Sequence, residues 1–215
     1  MGRARHSKLN IPFCAGLLIL FLTLFSIHFT GGLYARYTTS ASGGDSARVV
    51  TFGSIDLQET GNFDADGNMI VTPGVNLKKD VTVSFTASET DVYLFAKVEA
   101  TGWTRAFEGG KNIFYREINS KRVLSCTVED NWQHLESNGE THIFYRYIDT
   151  NTSVENAKIF ADADAYGNQI AVDEETTKAD LELLGTVKFA FEATAVQAGG
   201  FADAEEAWTA VSSHG

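Results

Sequence analysis

Two acidic loops hold the residues whose spacing comes closest to a chemical site. One loop, residues 162–168, reads DADAYGN and continues to Asp173 at its twelfth position; residues 64–68 (DADGN) are similar but shorter. Carboxylates two residues apart before a glycine follow the spacing of a calcium loop, although Tyr166 replaces an oxygen ligand and the twelfth residue is Asp rather than Glu. The pattern predicts a calcium site at Asp162, Asp164 and Asp173, with ordinary hairpin turns as the alternative.

The histidines and the cysteine have no spacing typical of catalysis. His134 and His142 are eight residues apart, and neither a zinc motif nor a nucleophile elbow, phosphate loop or dinucleotide fingerprint occurs. Cys126 has no sequence neighbour that would mark a thiolate nucleophile, so a small, inert core residue is expected. We therefore predict no catalytic residue, no enzyme activity, and no cofactor other than calcium in the acidic loop.

Six aromatic residues are candidates for a sugar-binding face. Adjacent Phe–Tyr pairs on strands usually place one ring in the core and one at the surface, because successive side chains point to opposite faces. The pattern therefore favours a structural role for these aromatic side chains, with a carbohydrate-binding face as the alternative. The six residues are Phe107, Phe114, Tyr115, Phe144, Tyr145 and Tyr147.

The elements that carry these residues read as short strands. Apolar and polar residues alternate in Asp80–Ala87 and Val92–Ala100, which indicates two half-buried antiparallel strands. Ser88–Asp91 between them is expected to be a hairpin connection, and Asn138-Gly139 is expected to be a turn. Further strands are predicted at residues 47–57, 69–72, 112–118, 122–129, 132–136, 142–148, 158–160, 168–172 and 184–197.

A helix is predicted only near the C-terminal end of this series. Asp203–Glu206 resembles a capping box ahead of the helical run Ala207–Val211. Many short strands with little helix predict an all-β protein with minor α content, namely an antiparallel β-sandwich. A jelly-roll order is expected, and an immunoglobulin-like order stays open.

Residues 1–35 have the composition of an export segment. A basic start precedes a nearly all-apolar run, Ile11–Phe29, and the small-residue site Leu33-Tyr34-Ala35 follows. This order predicts an export helix in a signal peptide that is cut between Ala35 and Arg36. A retained membrane anchor is the alternative, because nineteen helical residues span about 28 Å. In both cases the rest of the chain is expected outside the cell.

The remainder of the chain is acidic and has one cysteine. Three of the 17 Lys and Arg, and none of the 28 Asp and Glu, lie in residues 1–35, so residues 36–215 carry a formal charge of −14. This charge argues against nucleic acid or an anionic membrane surface as a partner. Membrane contact is expected only through an uncleaved N-terminal segment. Cys126 alone leaves no intrachain disulfide, so the domain must rely on its core.

A polar leader separates the export segment from the sandwich. Arg36–Ser46 is rich in Ser, Thr and Gly, and alone it would be disordered or extended. We predict a flexible arm at residues 36–46 and the sandwich domain at residues 47–215. Arm residues expected to engage another subunit are Tyr37, Val49, Val50 and Phe52. A merely disordered tail is the alternative.

The stretch GGLYARY at residues 31–37, the polar leader, and ARVVTF at residues 47–52 resemble the TasA/camelysin family of secreted bacterial proteins. The Pro73-Gly74 turn and the two strands after it are also similar, and the resemblance is strongest over residues 11–100. It implies cleavage by a dedicated signal peptidase, a jelly-roll sandwich and assembly into biofilm-matrix fibres by N-terminal strand addition. Camelysin-like members are described as metalloproteases, but the absence of a zinc motif leaves that activity with no residue here.

The sequence as a whole predicts a secreted structural protein of a Gram-positive bacterium, in the extracellular matrix or at the cell surface. Its partners are expected to be further copies of itself, joined head to tail, and a signal peptidase during export. Two alternatives stay open. One is a camelysin-type extracellular metalloprotease, and the other is a monomeric carbohydrate-binding module of the cell surface.

Overall fold

The computed structural model describes residues 38–42, 45–46, 53–61 and 70–213. All of them belong to one compact unit, Thr38–Gly215. The predicted export helix and the cleavage site between Ala35 and Arg36 lie outside the described residues. Within the described ranges, no helix has both the length and the apolar character needed to cross a membrane.

Strands make up most of the described residues. The strands are β1 (Thr38–Ser42), β2 (Asp45–Ser46), β3 (Ile55–Gly61), β4 (Lys79–Phe85), β5 (Val92–Thr101), β6 (Thr104–Glu108), β7 (Lys111–Ile118), β8 (Lys121–Thr127), β9 (Gln133–Asn138), β10 (Thr141–Ile148), β11 (Val154–Lys158), β12 (Ala171–Val172) and β13 (Lys188–Gln197). The helices are α1 (Lys178–Glu182) and α2 (Ala204–Ser212).

The strands form three antiparallel sheets. The largest has the order β2-β1-β13-β5-β10-β9, and two smaller sheets have the orders β11-β4-β3 and β12-β8-β7-β6. One hydrophobic core draws side chains from all three sheets, so the small sheets pack on one face of the large sheet. The mostly β, antiparallel, sandwich-like class predicted from the sequence is confirmed, whereas the jelly-roll order stays a prediction.

Strand β5 is buried on both faces over part of its length. Val92, Leu94, Ala96 and Val98 face the main core, as their alternation predicts. Phe95 has the opposite orientation and is nevertheless fully buried. It lies in a second apolar cluster, where its ring centroid is 5.2 Å from that of Trp208 on α2. Helix α2 therefore covers this part of the outer face of the large sheet.

The hairpin predicted at Ser88–Asp91 is wrong. Strand β4 pairs with β3 and β11, whereas β5 pairs with β10 and β13 in a different sheet. Residues 86–91 therefore cross from one layer of the sandwich to the other. Both strands alternate because each turns one face to the shared core, and that alternation is the same for a hairpin and for a crossover.

Other sequence-based boundaries need smaller corrections. The predicted strand 69–72 is reduced to a single bridge between Thr72 and Val75, and residue 69 lies outside the described ranges. Helix α1 was not predicted; Thr177 caps it in a capping box with Asp180. Helix α2 begins as predicted, because the Asp203 side chain accepts a hydrogen bond from the Glu206 main-chain N–H at 2.9 Å.

Candidate assembly site

The N-terminal strand β1 lies along β13 in the large sheet. The two strands pair antiparallel over five positions, from Thr38 opposite Val196 to Ser42 opposite Glu192. On its other side β13 pairs with β5 over ten positions. Removing β1 would therefore expose the main-chain groups of residues 192–196 at a sheet edge, where another strand can add.

A short second strand continues the same arm. Strand β2 pairs back onto β1, with Ser42 opposite Asp45, and the two residues that join them in the sequence are Gly43 and Gly44. Two-residue connections of this composition are typical of tight hairpins. The part of Arg36–Ser46 that is described is thus extended and paired within its own chain.

The arm joins the body of the sandwich at Gly53. A Cβ at Gly53 would collide with the main-chain oxygen of Thr86 and the Phe85 ring. Two hydrogen bonds hold the next residue: the Ser54 N–H donates to the Thr86 side-chain hydroxyl at 2.6 Å, and the Thr86 main-chain N–H donates to the Ser54 carbonyl at 3.0 Å. These contacts fix the chain from Gly53 onward to β4.

Most residues predicted to act in cleavage or assembly lie outside the described residues. They are Ala35, Arg36, Tyr37, Val49, Val50 and Phe52. Within the arm the structure describes the main chain of Thr38–Ser42 and Asp45–Ser46. The paired register of β1 is therefore the structural feature that bears on assembly.

The opposite edge of the large sheet is built differently. Strand β9 pairs with β10 on one side, and the register shifts at Leu135, which has no residue opposite it. Such a bulge twists an edge and makes it a poorer template for strand addition. The large sheet thus ends in β2 of the N-terminal segment on one side and in the bulged strand β9 on the other.

The predicted calcium ligand Asp164 is hydrogen-bonded within the protein. Its carboxylate accepts from Asn76 and Asn168 side chains, each at 2.9 Å, and from the main-chain N–H of Tyr166. The Asn168 and Asn76 side-chain bonds, followed by main-chain bonds, lower the pKa of Asp164 to about 2. The carboxylate thereby ties its loop to the segment that contains Asn76.

The other two predicted ligands face lysines. Asp162 accepts from Lys158 Nζ at 2.7 and 2.8 Å, and Asp173 lies 3.0 Å from Lys121 Nζ. These ion pairs are the main cause of the lowered pKa of each carboxyl. Among the described residues no three His, Cys, Asp or Glu side chains are grouped to hold a metal ion. The structure thus does not bring Asp162, Asp164 and Asp173 into one group.

We predict that Asp164 causes part of the decrease in the free energy of unfolding at acidic pH. Its folded pKa is about 2, below the ordinary 3.8, so its stabilising contribution is present above pH 3.8 and is lost as the pH falls through about 2. In Asp164→Asn this part of the pH dependence should disappear. Urea midpoints measured from pH 5 to about 2 test this. Asp130→Asn, which changes an exposed acid near Lys111, should retain the wild-type slope; equal slopes in all three proteins would contradict the prediction.

The six candidate sugar-binding aromatics do not share one face. Phe114 and Phe144 are fully buried, which confirms one ring of each adjacent pair as core. Tyr145 and Tyr147 lie on the other face with Tyr93, at centroid distances of 6.2 and 5.4 Å from it. Tyr115 lies beneath the Arg122 guanidinium on a different sheet.

The single cysteine of the described residues is a core side chain. Cys126 is 3% exposed and is free of any disulfide. Burial raises the pKa of its thiol well above the ordinary value. The thiol therefore stays protonated, and the prediction of a small, buried core residue is confirmed.

Comparison with protein-family models, with curated proteins and with solved structures gives no match.

Proposed function

We propose that this chain is a secreted structural protein whose subunits assemble head to tail by exchanging the N-terminal strand. The observation that carries the proposal is the antiparallel pairing of β1 with β13. In a polymer, β1 of one subunit would occupy the same five positions on β13 of the next subunit. Because each subunit then offers one strand and accepts another, the chain of subunits need not close.

The position of β1 in the chain supports exchange. Cleavage after Ala35 would leave two residues, Arg36 and Tyr37, ahead of the strand. A strand at a free end can leave β13 and join another subunit without threading a loop.

The energetics of exchange also fit a concentration-dependent assembly. The same main-chain hydrogen bonds form whether β1 comes from the same chain or from a neighbour, so the bonds themselves favour neither arrangement. Strand β1 reads TTSAS, with few apolar side chains, so main-chain pairing is its principal contribution. High subunit concentration therefore favours exchange, as in domain swapping.

The export signal and the acidic charge suit this role. The basic start, the apolar run and the small-residue site predict that the domain lies outside the cell. A domain without disulfides must withstand that environment through its core alone, and the core here spans all three sheets. The resemblance of residues 31–52 to the TasA/camelysin family points to the same role in a matrix fibre.

Cysteine pairs at known register positions test the exchange. Ser40 lies opposite Thr194, so we would mix a Ser40→Cys subunit with a Thr194→Cys subunit, both starting at Arg36, under assembling conditions. A disulfide between two chains is expected, because only exchange puts the two cysteines together. If fibres form and the mixed disulfide does not, β1 stays in its own chain and the proposal fails.

Two controls accompany the cross-linking. A single chain with both substitutions should close its disulfide internally, remain monomeric when oxidised and polymerise after reduction. A chain starting at Ala47, which lacks β1, should not polymerise. Equal polymerisation of the chains starting at Arg36 and Ala47, measured by sedimentation and electron microscopy, would contradict the proposal.

A further inference from the structure

The β9–β10 hairpin brings two histidines to one serine. Ser137 lies directly opposite His142 in the strand register, so the two side chains share a face. The Ser137 Oγ atom is 2.8 Å from His142 Nδ1 and 2.8 Å from His134 Nε2. The residue Ser137 is exposed, whereas His142 is buried. Three side chains thus meet at one accessible hydroxyl.

A β-bulge turns His134 toward the serine. Residues three apart in a regular strand point to opposite faces, so His134 and Ser137 would not meet. Here Glu136 and His134 pair with consecutive residues of β10, and Leu135 is left over as the extra residue. The bulge therefore places His134 on the face of Ser137. Bulges are frequent next to active sites, where they re-aim a side chain.

The direction of the proton is assigned from the burial of each ring. A hydroxyl has one proton, so it donates to one imidazole and accepts from the other. His134 is half-buried and His142 is buried, so we assign the more accessible His134 Nε2 as the acceptor. With that assignment Ser137 Oγ–H donates to His134 Nε2, and His142 Nδ1–H donates to Ser137 Oγ.

Both rings are held neutral by their surroundings. Burial is the main cause that lowers the pKa of His134, and the Arg105 guanidinium on β6 lowers it further, against the opposing Glu136. Burial, Arg105 and His134 lower the pKa of His142 to about 4. Neighbouring rings pack against the two imidazoles, at centroid distances of 5.5 Å from Phe144 to His134 and 5.0 Å from Phe114 to His142. A neutral, fixed His134 can accept a proton.

We propose that Ser137 is a nucleophile for acyl transfer, with His134 as its general base and His142 as the donor that positions the hydroxyl. The substrate class is an ester, whose carbonyl carbon can reach the exposed residue Ser137. This activity goes beyond the structural role and does not depend on strand exchange.

The reaction needs only the ester and water. Ser137 Oγ bonds to the ester carbonyl carbon while its proton passes to His134 Nε2. The carbon–oxygen bond to the alcohol then breaks, the alcohol takes the proton from His134, and the acyl group remains on Ser137. Water, deprotonated by His134, attacks the acyl carbon, and Ser137 regains its proton as the carboxylic acid leaves.

Covalent labelling of the unaltered chain is the first test. We would treat the folded protein with a fluorophosphonate and locate the adduct by peptide mass spectrometry. Labelling is expected at Ser137, and heat-unfolded protein should lose it because the His134 contact is gone. The absence of a Ser137 adduct on folded protein would overturn the proposal, and this outcome does not depend on the folding of any variant.

Hydrolysis of p-nitrophenyl acetate is the second test. His134→Gln should lower the acylation rate about 100-fold, the lower end of the usual contribution of a general base, and Ser137→Ala should abolish it. Ser125→Ala, which changes a half-buried serine of β8, is the matched control and should keep the wild-type rate. The rate should stay level as the pH falls to 6.5, the ordinary histidine value, and should decline only at a lower pH, because burial lowers the pKa of His134. Wild-type hydrolysis by correctly folded Ser137→Ala would show that the serine is not the nucleophile.

Discussion

Replacing Phe114 with alanine is expected to lower the free energy of unfolding by about 4 kcal/mol. Phe114 is fully buried on β7 of the four-stranded sheet. Its ring centroid lies 6.2 Å from that of Phe144 on β10 and 5.5 Å from that of Phe189 on β13, both in the large sheet. One side chain therefore packs against two strands of the facing layer, and its loss leaves a cavity between the layers.

Phe107 provides a matched control for this substitution. It is the same residue type in the adjacent strand β6, but it is 65% exposed. Phe107→Ala should change stability by no more than about 0.5 kcal/mol, as surface substitutions usually do. Urea unfolding measures the stability of both variants, and the dependence of their unfolding free energy on urea concentration should equal that of the wild type. Equal losses in the two variants would mean that Phe114 does not join the layers as its contacts indicate.

The face of each strand was predictable, whereas the neighbour of each strand was not. The alternation in β4 and β5 correctly identified Val83 and Leu94 as core residues. It could not say that the two strands lie in different sheets, because a side chain that points to the core looks the same in either layer. The same alternation puts Phe95 on the opposite face of β5, and its burial there depends on α2, which lies over a hundred residues later in the chain.

The candidate sites escaped prediction for two different reasons. His134 and Ser137 meet because of the bulge at Leu135, and a single extra residue leaves no trace in a pattern with a period of two. The pairing of β1 with β13 uses main-chain groups, which every sequence possesses, so the polar residues of the arm could not reveal a partner. The spacing of the three predicted calcium ligands does not indicate that Lys158 and Lys121 face two of them.

Removing the carboxylate of Glu59 is expected to cost about 3 kcal/mol, the lower end of the range for breaking a buried ion pair. Its partner Lys79 is 2% exposed on β4, and the Lys79 ammonium lies 5.4 Å from the centre of the Phe191 ring. Glu59 on β3 is the more accessible member, with 32% of its side chain exposed. Glu59→Gln would remove the carboxylate that contacts this buried ammonium.

The reverse substitution should be far milder. Lys79→Met removes the buried charge and fills its place with an apolar side chain of similar length, while Glu59 can turn to solvent. We expect a change within about 1 kcal/mol, measured by urea unfolding of both single variants and the double variant. Equal losses in Glu59→Gln and Lys79→Met would instead mean that the pair itself, and not the cost of burying the ammonium, determines the stability of this site.

The pH dependence of the stability of Glu59→Gln distinguishes the contribution of the ion pair from the cost of burying the Lys79 ammonium. Burial is the largest influence on the Lys79 pKa and lowers it from 10.5. Between the lowered folded value and 10.5 the unfolded chain binds more protons at this residue, so stability rises with pH in that window. Losing the Glu59 carboxylate lowers the folded pKa further, and the window extends toward neutral pH. The deficit of Glu59→Gln relative to wild type should therefore shrink as the pH rises from about 7 to 10, because the neutral amine no longer needs a carboxylate beside it.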